Sequence, residues 1–162
     1  ELAHKDNFVV TSFEGQFNFS AMINQGVEKA SGEVFVLLNN DTEIIQESWL
    51  NNLVSQACRK DVGVAGAVLL FSNNTIQHAG VHPNMSGLMG HGHKHWPAES
   101  IGYFGRLRIP HQVAAVTGAC LAIEKSVWDL VGGLDERDLA VAYNDVDLCF
   151  KVRNLGLKII KP

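Results

Sequence analysis

A chain of 162 residues is long enough for one domain with a sizeable core. Its 46% hydrophobic and 19% charged content is that of an ordinary globular protein, and a formal net charge of −4 offers no basic field for nucleic acid. No apolar run approaches membrane-spanning length, no signal peptide is read, and Cys58, Cys120 and Cys149 are scattered without a CxxC, reading as small core residues of a reducing compartment.

In chain order, Phe8 to Val10 predicts a short strand. Phe19, Met22, Ile23, Gly26, Val27 and Ala30 then fall on one helical stripe. Asn18 or Ser20 is its expected cap, and Gly32 its expected left-handed stop. Val34 to Leu38 is a continuous apolar run, read as a strand covered on both faces. A second amphipathic helix is expected over 44–59, with Trp49, Leu50, Leu53, Val54 and Ala57 inward. Val62 to Phe71 predicts another strand. Residues 8–71 thus read β-α-β-α-β, which implies a parallel sheet with helices on its faces.

Thr75 to Val81 reads as a short returning strand. Pro83 to Pro110 loses periodicity and carries five of the fifteen glycines, Gly87 among them, with His91, His93 and His95. Irregular stretches of this length in compact domains are usually functional or mobile. Val113 to Ile123 predicts a strand interrupted at Thr117-Gly118, where the glycine marks a bulge or a close backbone approach. A short helix over 126–131, capped by Ser126, ends at Gly132-Gly133. A last helix starts at Asn144 or Asp145 and stops at Gly156, and Leu157 to Ile160 begins a final strand.

The chemistry concentrates at two acidic places. The strand at Val34 to Leu38 stops abruptly at Asn39, Asn40, Asp41, Thr42 and Glu43. Carboxylates at the C-terminal end of a strand sit where α/β sheets bind ligands. Hard cations such as Mg²⁺ take such oxygens and share substrate phosphates. The plainer alternative is turn chemistry, with Asp41 or Thr42 as a helix cap. Asp145 and Asp147 form the second place, at a helix start, where free N–H groups stabilise carboxylates. A rival reading assembles His78, His82, His91, His93 and His95 into a zinc module, although no cysteine joins them.

Five segments in order carry a family resemblance: Asn18 to Gly26 with Ala30 to Glu33; Leu37 to Glu43; Ile76 to Gly80 with Gly90 to Lys94 and Gly102 to Arg106; Val116 to Cys120 with Val131 to Glu136; and Ala142 to Cys149. Together they resemble the family-2 glycosyltransferases, in the bacterial branch labelled rhamnosyltransferase or O-antigen-type. The resemblance implies an α/β GT-A fold, with a mixed, mainly parallel sheet and helices on both faces. Residues 1–162 are then a single, partial catalytic domain truncated at the N-terminus, weak in donor binding and inactive in isolation.

The implied activity is inverting transfer of a sugar from a nucleotide-diphosphate donor to a saccharide or lipid-linked saccharide acceptor. The setting would be cell-envelope polysaccharide synthesis, cytoplasmic and at the inner face of the membrane. Asn39-Asn40-Asp41 falls on the family's D-x-D position, which makes Asp41 the expected ligand of Mg²⁺ or Mn²⁺, while Asn39 replaces the first acid. Asn39, Asp41 and Asn24 form the expected donor side. Asp145 matches the family's general base, and Asn144 replaces its Glu neighbour. Thr117, Gly118, Asn144, His91, His93 and Arg106 form the expected acceptor side. The other reading of the same fold is a non-catalytic carbohydrate- or partner-binding domain.

Overall fold

The structure is a computed structural model that describes residues 8–83 and 89–162. Gly87 of the predicted irregular stretch lies outside the described residues. Among the described residues, no helix is long and apolar enough to cross a membrane.

Helix α1 (Phe19–Lys29) begins at Asn18, whose Oδ1 accepts from the Ala21 N–H at 2.9 Å while its Nδ2 donates to the Glu136 carbonyl at 2.8 Å. Phe19, Ile23 and Val27 turn their stripe to the core. The helix leaves through Ala30 in an extended conformation, so Gly32 is not the left-handed stop expected of it. Strand β1 (Val34–Leu38) follows, with its expected bounds. Helix α2 (Trp49–Ala57) is shorter than predicted: Ile44 and Ile45 are exposed, and only the 49–57 stretch carries Leu53 and Ala57 to a buried face.

The predicted strand over 62–71 divides. Strand β2 (Val62–Gly66) is buried throughout and lies in the main sheet. Strand β3 (Leu69–Leu70) pairs instead with β4 (Ile76–His78) in a separate hairpin. Strands β5 (Val81–Pro83) and β6 (Met89–His91) make a second hairpin inside the region predicted to be irregular. A 3₁₀ segment, Tyr103–Arg108, is kinked at Phe104 and Gly105, both with positive φ. Strands β7 (His111–Val113) and β8 (Cys120–Glu124) replace the single strand predicted over 113–123.

Helix α3 (Lys125–Val131) has Glu124 at its start with no side-chain cap, so Ser126 does not cap it; Gly132, at φ 73°, closes it in the left-handed region. Helix α4 (Asn144–Asn154) and strand β9 (Lys158–Lys161) complete the fold. Phe8, Val9 and Val10 form no strand. They are exposed, and no neighbouring strand among the described residues takes up their N–H groups.

The main sheet has the order β1-β8-β2-β9-β7. β8 is antiparallel to both β1 and β2, and β9 is parallel to β2. β1, β2 and β9 therefore run one way, while β8 and β7 run against them. The sheet is mixed as expected, with the antiparallel β8 standing between β1 and β2.

Period-two alternation splits β1 between the two faces. Phe35 and Leu37 join Leu121, Ile123, Val127, Trp128, Leu148, Val152 and Ile159 beneath α1, α3 and α4. Val34 and Val36 join Leu53, Ala57, Ala65 and Ala122 beneath α2. Phe35 meets Trp128 edge to face, with ring centroids 6.1 Å apart. Burying side chains such as Leu121 or Ile123 is worth about 1.5–3 kcal/mol each. Gly63 permits the closest approach, because a Cβ there would lie 2.2 Å from Val152 Cγ1 of α4. Cys120 and Cys149 are core residues as predicted, whereas Cys58, just past α2, is exposed.

Candidate active site

The strand directions bring five chain segments to one edge of the sheet. β1 ends at Leu38 opposite the first residue of β8, Cys120. β2 ends beside it at Gly66, and β9 ends at Lys161 opposite His111 of β7. Asn39 to Asp41, Thr117 to Ala119, Lys161 and His111 thus share the edge formed by the C-terminal ends of the parallel strands, where such sheets bind ligands.

The backbone holds the first two segments together. Asn39 N–H donates to the Ala119 carbonyl at 2.9 Å. The Thr42 hydroxyl donates back to the Asn39 carbonyl at 2.6 Å and closes the turn. Thr42 is therefore a turn residue rather than a helix cap, and Asp41 is left exposed at the tip.

Asp145 arrives from α4. Tyr143 precedes the helix in the left-handed region at φ 62°, and no side chain caps the helix start. Asp145 Oδ2 accepts from the Gly118 N–H at 2.9 Å, and Oδ1 accepts from the Val146 N–H at 2.8 Å. A Cβ at Gly118 would lie 3.5 Å from Asp145 Cβ, an ordinary van der Waals contact, so the backbone here does not require the close approach that the sequence indicated. Asp147, on the same turn, pairs with Lys151 at 2.8 Å.

His91 and His78 stand beside this carboxylate. His78 is 1% exposed, on the inward side of β4. Its Nε2 accepts from the Gly80 N–H at 3.3 Å and the Thr117 N–H at 3.4 Å, and its Nδ1 lies 2.8 Å from His91 Nδ1. Burial is the main cause that pushes the His78 ring down to about 3, with smaller contributions from His91 and His82. The His91 ring is also held below its ordinary value, by burial and the Lys94 ammonium, against an opposing pull from the Asp145 carboxylate. In the sequence His78 falls in the proposed metal module and in the Ile76 to Gly80 segment of the family resemblance, with no structural role assigned to it. The signal that it is structural and buried was the in–out–in alternation of Ile76, Gln77 and His78.

The remaining site residues divide. His93 and Arg106 belong to one group with His82, His111 and Lys161, in which the Arg106 and Lys161 charges act on the rings. Burial first, and the Arg106 guanidinium among the further causes, lower the His82, His93 and His111 rings. Lys161 is 1% exposed, donates to the Leu107 carbonyl at 3.1 Å, and is pushed down to about 8 chiefly by burial. Asn144 is buried, and its amide faces the Leu139 carbonyl at 3.4 Å rather than the edge.

Asn24, expected on the donor side, is occupied elsewhere. Its Nδ2 donates to the Leu134 carbonyl at 2.9 Å and to Glu136 at 2.7 Å, and its Oδ1 accepts from the Leu134 N–H at 3.0 Å. It ties α1 to the turn after α3, so its polar atoms are consumed by the fold. The open groove of about 580 Å³ beside Asn18 and Leu134 to Asp138 also lies at that turn, away from the strand edge.

The rings proposed as a zinc module do not converge on one point. His78 pairs with His91, His93 meets Trp96 edge to face at 4.9 Å, and His95 stacks on Phe71 at 5.1 Å. Among the described residues, no three His, Cys, Asp or Glu side chains gather as a metal cage. Within the Asn39–Asp41 turn the one charged donor is the exposed carboxylate of Asp41. This fits Mg²⁺ or Mn²⁺ held largely by substrate phosphates, the usual mode for such ions, and not a metal bound by the protein alone.

The sheet, the helices on both faces and the acidic strand edge define a GT-A glycosyltransferase fold. GalNAc-T7, solved with UDP, GalNAc and Mn²⁺, superposes with a TM-score of 0.69 at 19% identity, over 92% of this chain and 30% of that one. The chain belongs to Glycosyl transferase family 2, whose profile matches residues 1–131. It is 39% identical over 153 residues to the O-antigen biosynthesis protein RfbC of Myxococcus xanthus, covering 94% of this chain. It is 46% identical over 140 residues to Uncharacterized protein y4gI of Sinorhizobium fredii, covering 86% of this chain. The chain spans only 12% and 15% of the lengths of these two relatives, respectively.

Proposed function

We propose that the chain carries the catalytic centre of an inverting glycosyltransferase, moving a sugar from a nucleoside-diphosphate donor to a saccharide acceptor. The observation that carries this reading is the 2.9 Å bond from Gly118 N–H to Asp145 Oδ2, which fixes a carboxylate beside the Asn39–Asp41 turn. Family membership and the likeness to an O-antigen biosynthesis protein support polysaccharide synthesis as the setting. The nucleotide sugars such enzymes consume are made in the cytoplasm, which is the proposed compartment.

In the reaction, the acceptor hydroxyl oxygen forms a bond to the anomeric carbon as the bond from that carbon to the diphosphate breaks. Asp145 takes the hydroxyl proton in the transition state, a contribution typically worth about 10²–10⁴-fold. Its two backbone N–H partners hold it in orientation, so no reorganisation is needed at that moment. Asp41, with the Asn39 side chain, is the proposed holder of a divalent ion. When bound, that ion supplies Lewis-acid stabilisation of the leaving diphosphate. Thr117, Gly118 and His91 line the proposed acceptor side, and His93 and Arg106 extend it along the edge.

The test is nucleoside diphosphate release by the full-length protein across a panel of nucleotide sugars, with and without Mn²⁺. Asp145→Asn is expected to cut transfer by about 10²–10⁴-fold while donor binding persists. A wild type that binds saccharide but turns over no donor on the panel would establish the non-catalytic binding domain instead.

A further inference from the structure

We propose that buried His78 is a positioning residue acting through His91, which it fixes as a neutral Nε2–H donor to a hydroxyl oxygen of the acceptor saccharide. Only the identity of that oxygen rests on the transferase reading; the proton positions stand on geometry.

The argument runs from the two backbone groups outward. A backbone N–H only donates, so the two that reach His78 Nε2, from Gly80 and Thr117, require a lone pair there. A neutral imidazole carries one proton, which must then be on His78 Nδ1. That nitrogen lies 2.8 Å from His91 Nδ1, and the rings meet edge to face at 5.0 Å between centroids. His91 Nδ1 is therefore the acceptor, and the His91 proton is on Nε2, at the end of the ring away from His78. The His78 ring is 1% exposed and is held by segments from two different places in the chain, so it cannot turn to suit its neighbour. The bias runs one way, from the fixed ring to the exposed one.

The consequence concerns Asp145. Each nitrogen of His91 then has one task, and Nδ1 is closed to a second proton while it accepts from His78. A doubly protonated His91 would be a cation within electrostatic reach of the proposed base and would weaken its pull on the acceptor proton. The lock leaves a neutral donor there instead. A saccharide hydroxyl beside the attacking one has an oxygen suited to that N–H, so His91 orients the acceptor without competing for Asp145.

Long-range ¹H–¹⁵N spectra of the ring nitrogens, recorded on the ¹⁵N-histidine-labelled chain at neutral pH, read the tautomers directly. The expected result is Nδ1–H for His78 and Nε2–H for His91. His78→Leu removes the donor and should leave His91 as an averaged tautomer mixture. His78→Asn presents an amide N–H near the old Nδ1 position and should preserve the Nε2–H form. An Nδ1–H or averaged His91 in the wild type overturns the lock, as does a His91 spectrum unmoved by His78→Leu. Should His78→Leu fail to fold, the wild-type and His78→Asn spectra decide. In the transfer assay, His91→Ala should raise the acceptor KM about ten-fold, the loss of one hydrogen bond, with the donor KM unmoved. His78→Leu should reproduce that change and His78→Asn should reverse most of it. An unchanged acceptor KM in His91→Ala overturns the assigned receiver. A wild type without turnover sinks the transferase reading and the receiver with it, and leaves the lock to the spectra.

Discussion

Acid should destabilise this protein through His78 before the salt-bridged Asp61 and the backbone-bonded Asp135 lose their contributions. Burial pushes the ring down to about 3 in the folded state, against an ordinary value of 6.5. The direction follows from which state binds the proton. Below 6.5 the unfolded chain protonates this histidine and the folded chain does not, so stability is complete above 6.5 and is lost as the pH falls from there toward 3. Each pH unit inside that window costs about 1.4 kcal/mol. Between pH 7 and pH 5, His78 alone should remove about 2 kcal/mol. The lowered carboxylates, Asp61 and Asp135, lose their contributions only below 3.8 and leave this window clear. His82, His91, His93 and His111 shift in the same direction as His78 and add to the wild-type loss. The difference between wild type and His78→Asn therefore isolates the buried ring. Urea unfolding at pH 7 and pH 5, with unchanged slopes, gives the two stabilities for each protein. A wild-type loss no larger than that of His78→Asn would refute both the burial and the neutral state assigned to His78.

Two further perturbations separate packing from chemistry. Asn24→Ala removes three hydrogen bonds to Leu134 and Glu136 and leaves the Leu134 N–H and carbonyl without these partners. It should lower the unfolding free energy by about 1–3 kcal/mol with an unchanged donor KM; a selective rise in donor KM would return Asn24 to the donor side. Gly63→Ala would set a methyl 2.2 Å from Val152 Cγ1 and force α4 away from β2. A cost of about 1–3 kcal/mol is expected by urea unfolding, and transfer should fall with it, because α4 carries Asp145.

The parts of the fold legible in the sequence are those with local signals. β1 is an unbroken apolar run that stops at Asn39, α1 has a stripe and a capping Asn18, and Gly132 and Gly156 close their helices with positive φ. The sheet order was not legible. β8 reads like any other apolar strand, and its place between β1 and β2 is set by pairings of Leu38 with Cys120 and Gly66 with Leu121. Phe8 to Val10 has strand composition, yet those residues lie exposed. The same contrast holds at the site. Asp41 and Asp145 stand out by type and position, whereas Asn24 looks identical in sequence whether it binds a ligand or a turn. His78 lay hidden among histidines: the alternation of Ile76, Gln77 and His78 marks its inward side, but Thr117 and His91, which meet the ring, are distant in the chain. Its partners, Gly80, Thr117 and His91, come from separate turns of the chain.

The insertion of β8 also governs how the chain can acquire its shape. Val34 finds its partner in Glu124, about ninety residues later, and Val62 finds one in Lys158. At about 5–20 residues per second of synthesis, β1 and β2 emerge from the ribosome roughly 5–18 s before the strands that complete them. In that interval α1 and α2 are already available to their faces, but β1 lacks β8 and β2 lacks β8 and β9, so their edges stay unpaired, a topology that folds slowly and invites wrong pairings. The acidic turn after β1 has its local Thr42–Asn39 bond early, but it is tied to the sheet and brought beside Asp145 only when Ala119 and Gly118 arrive with β8. Sheet closure and assembly of the candidate site are thus one late event.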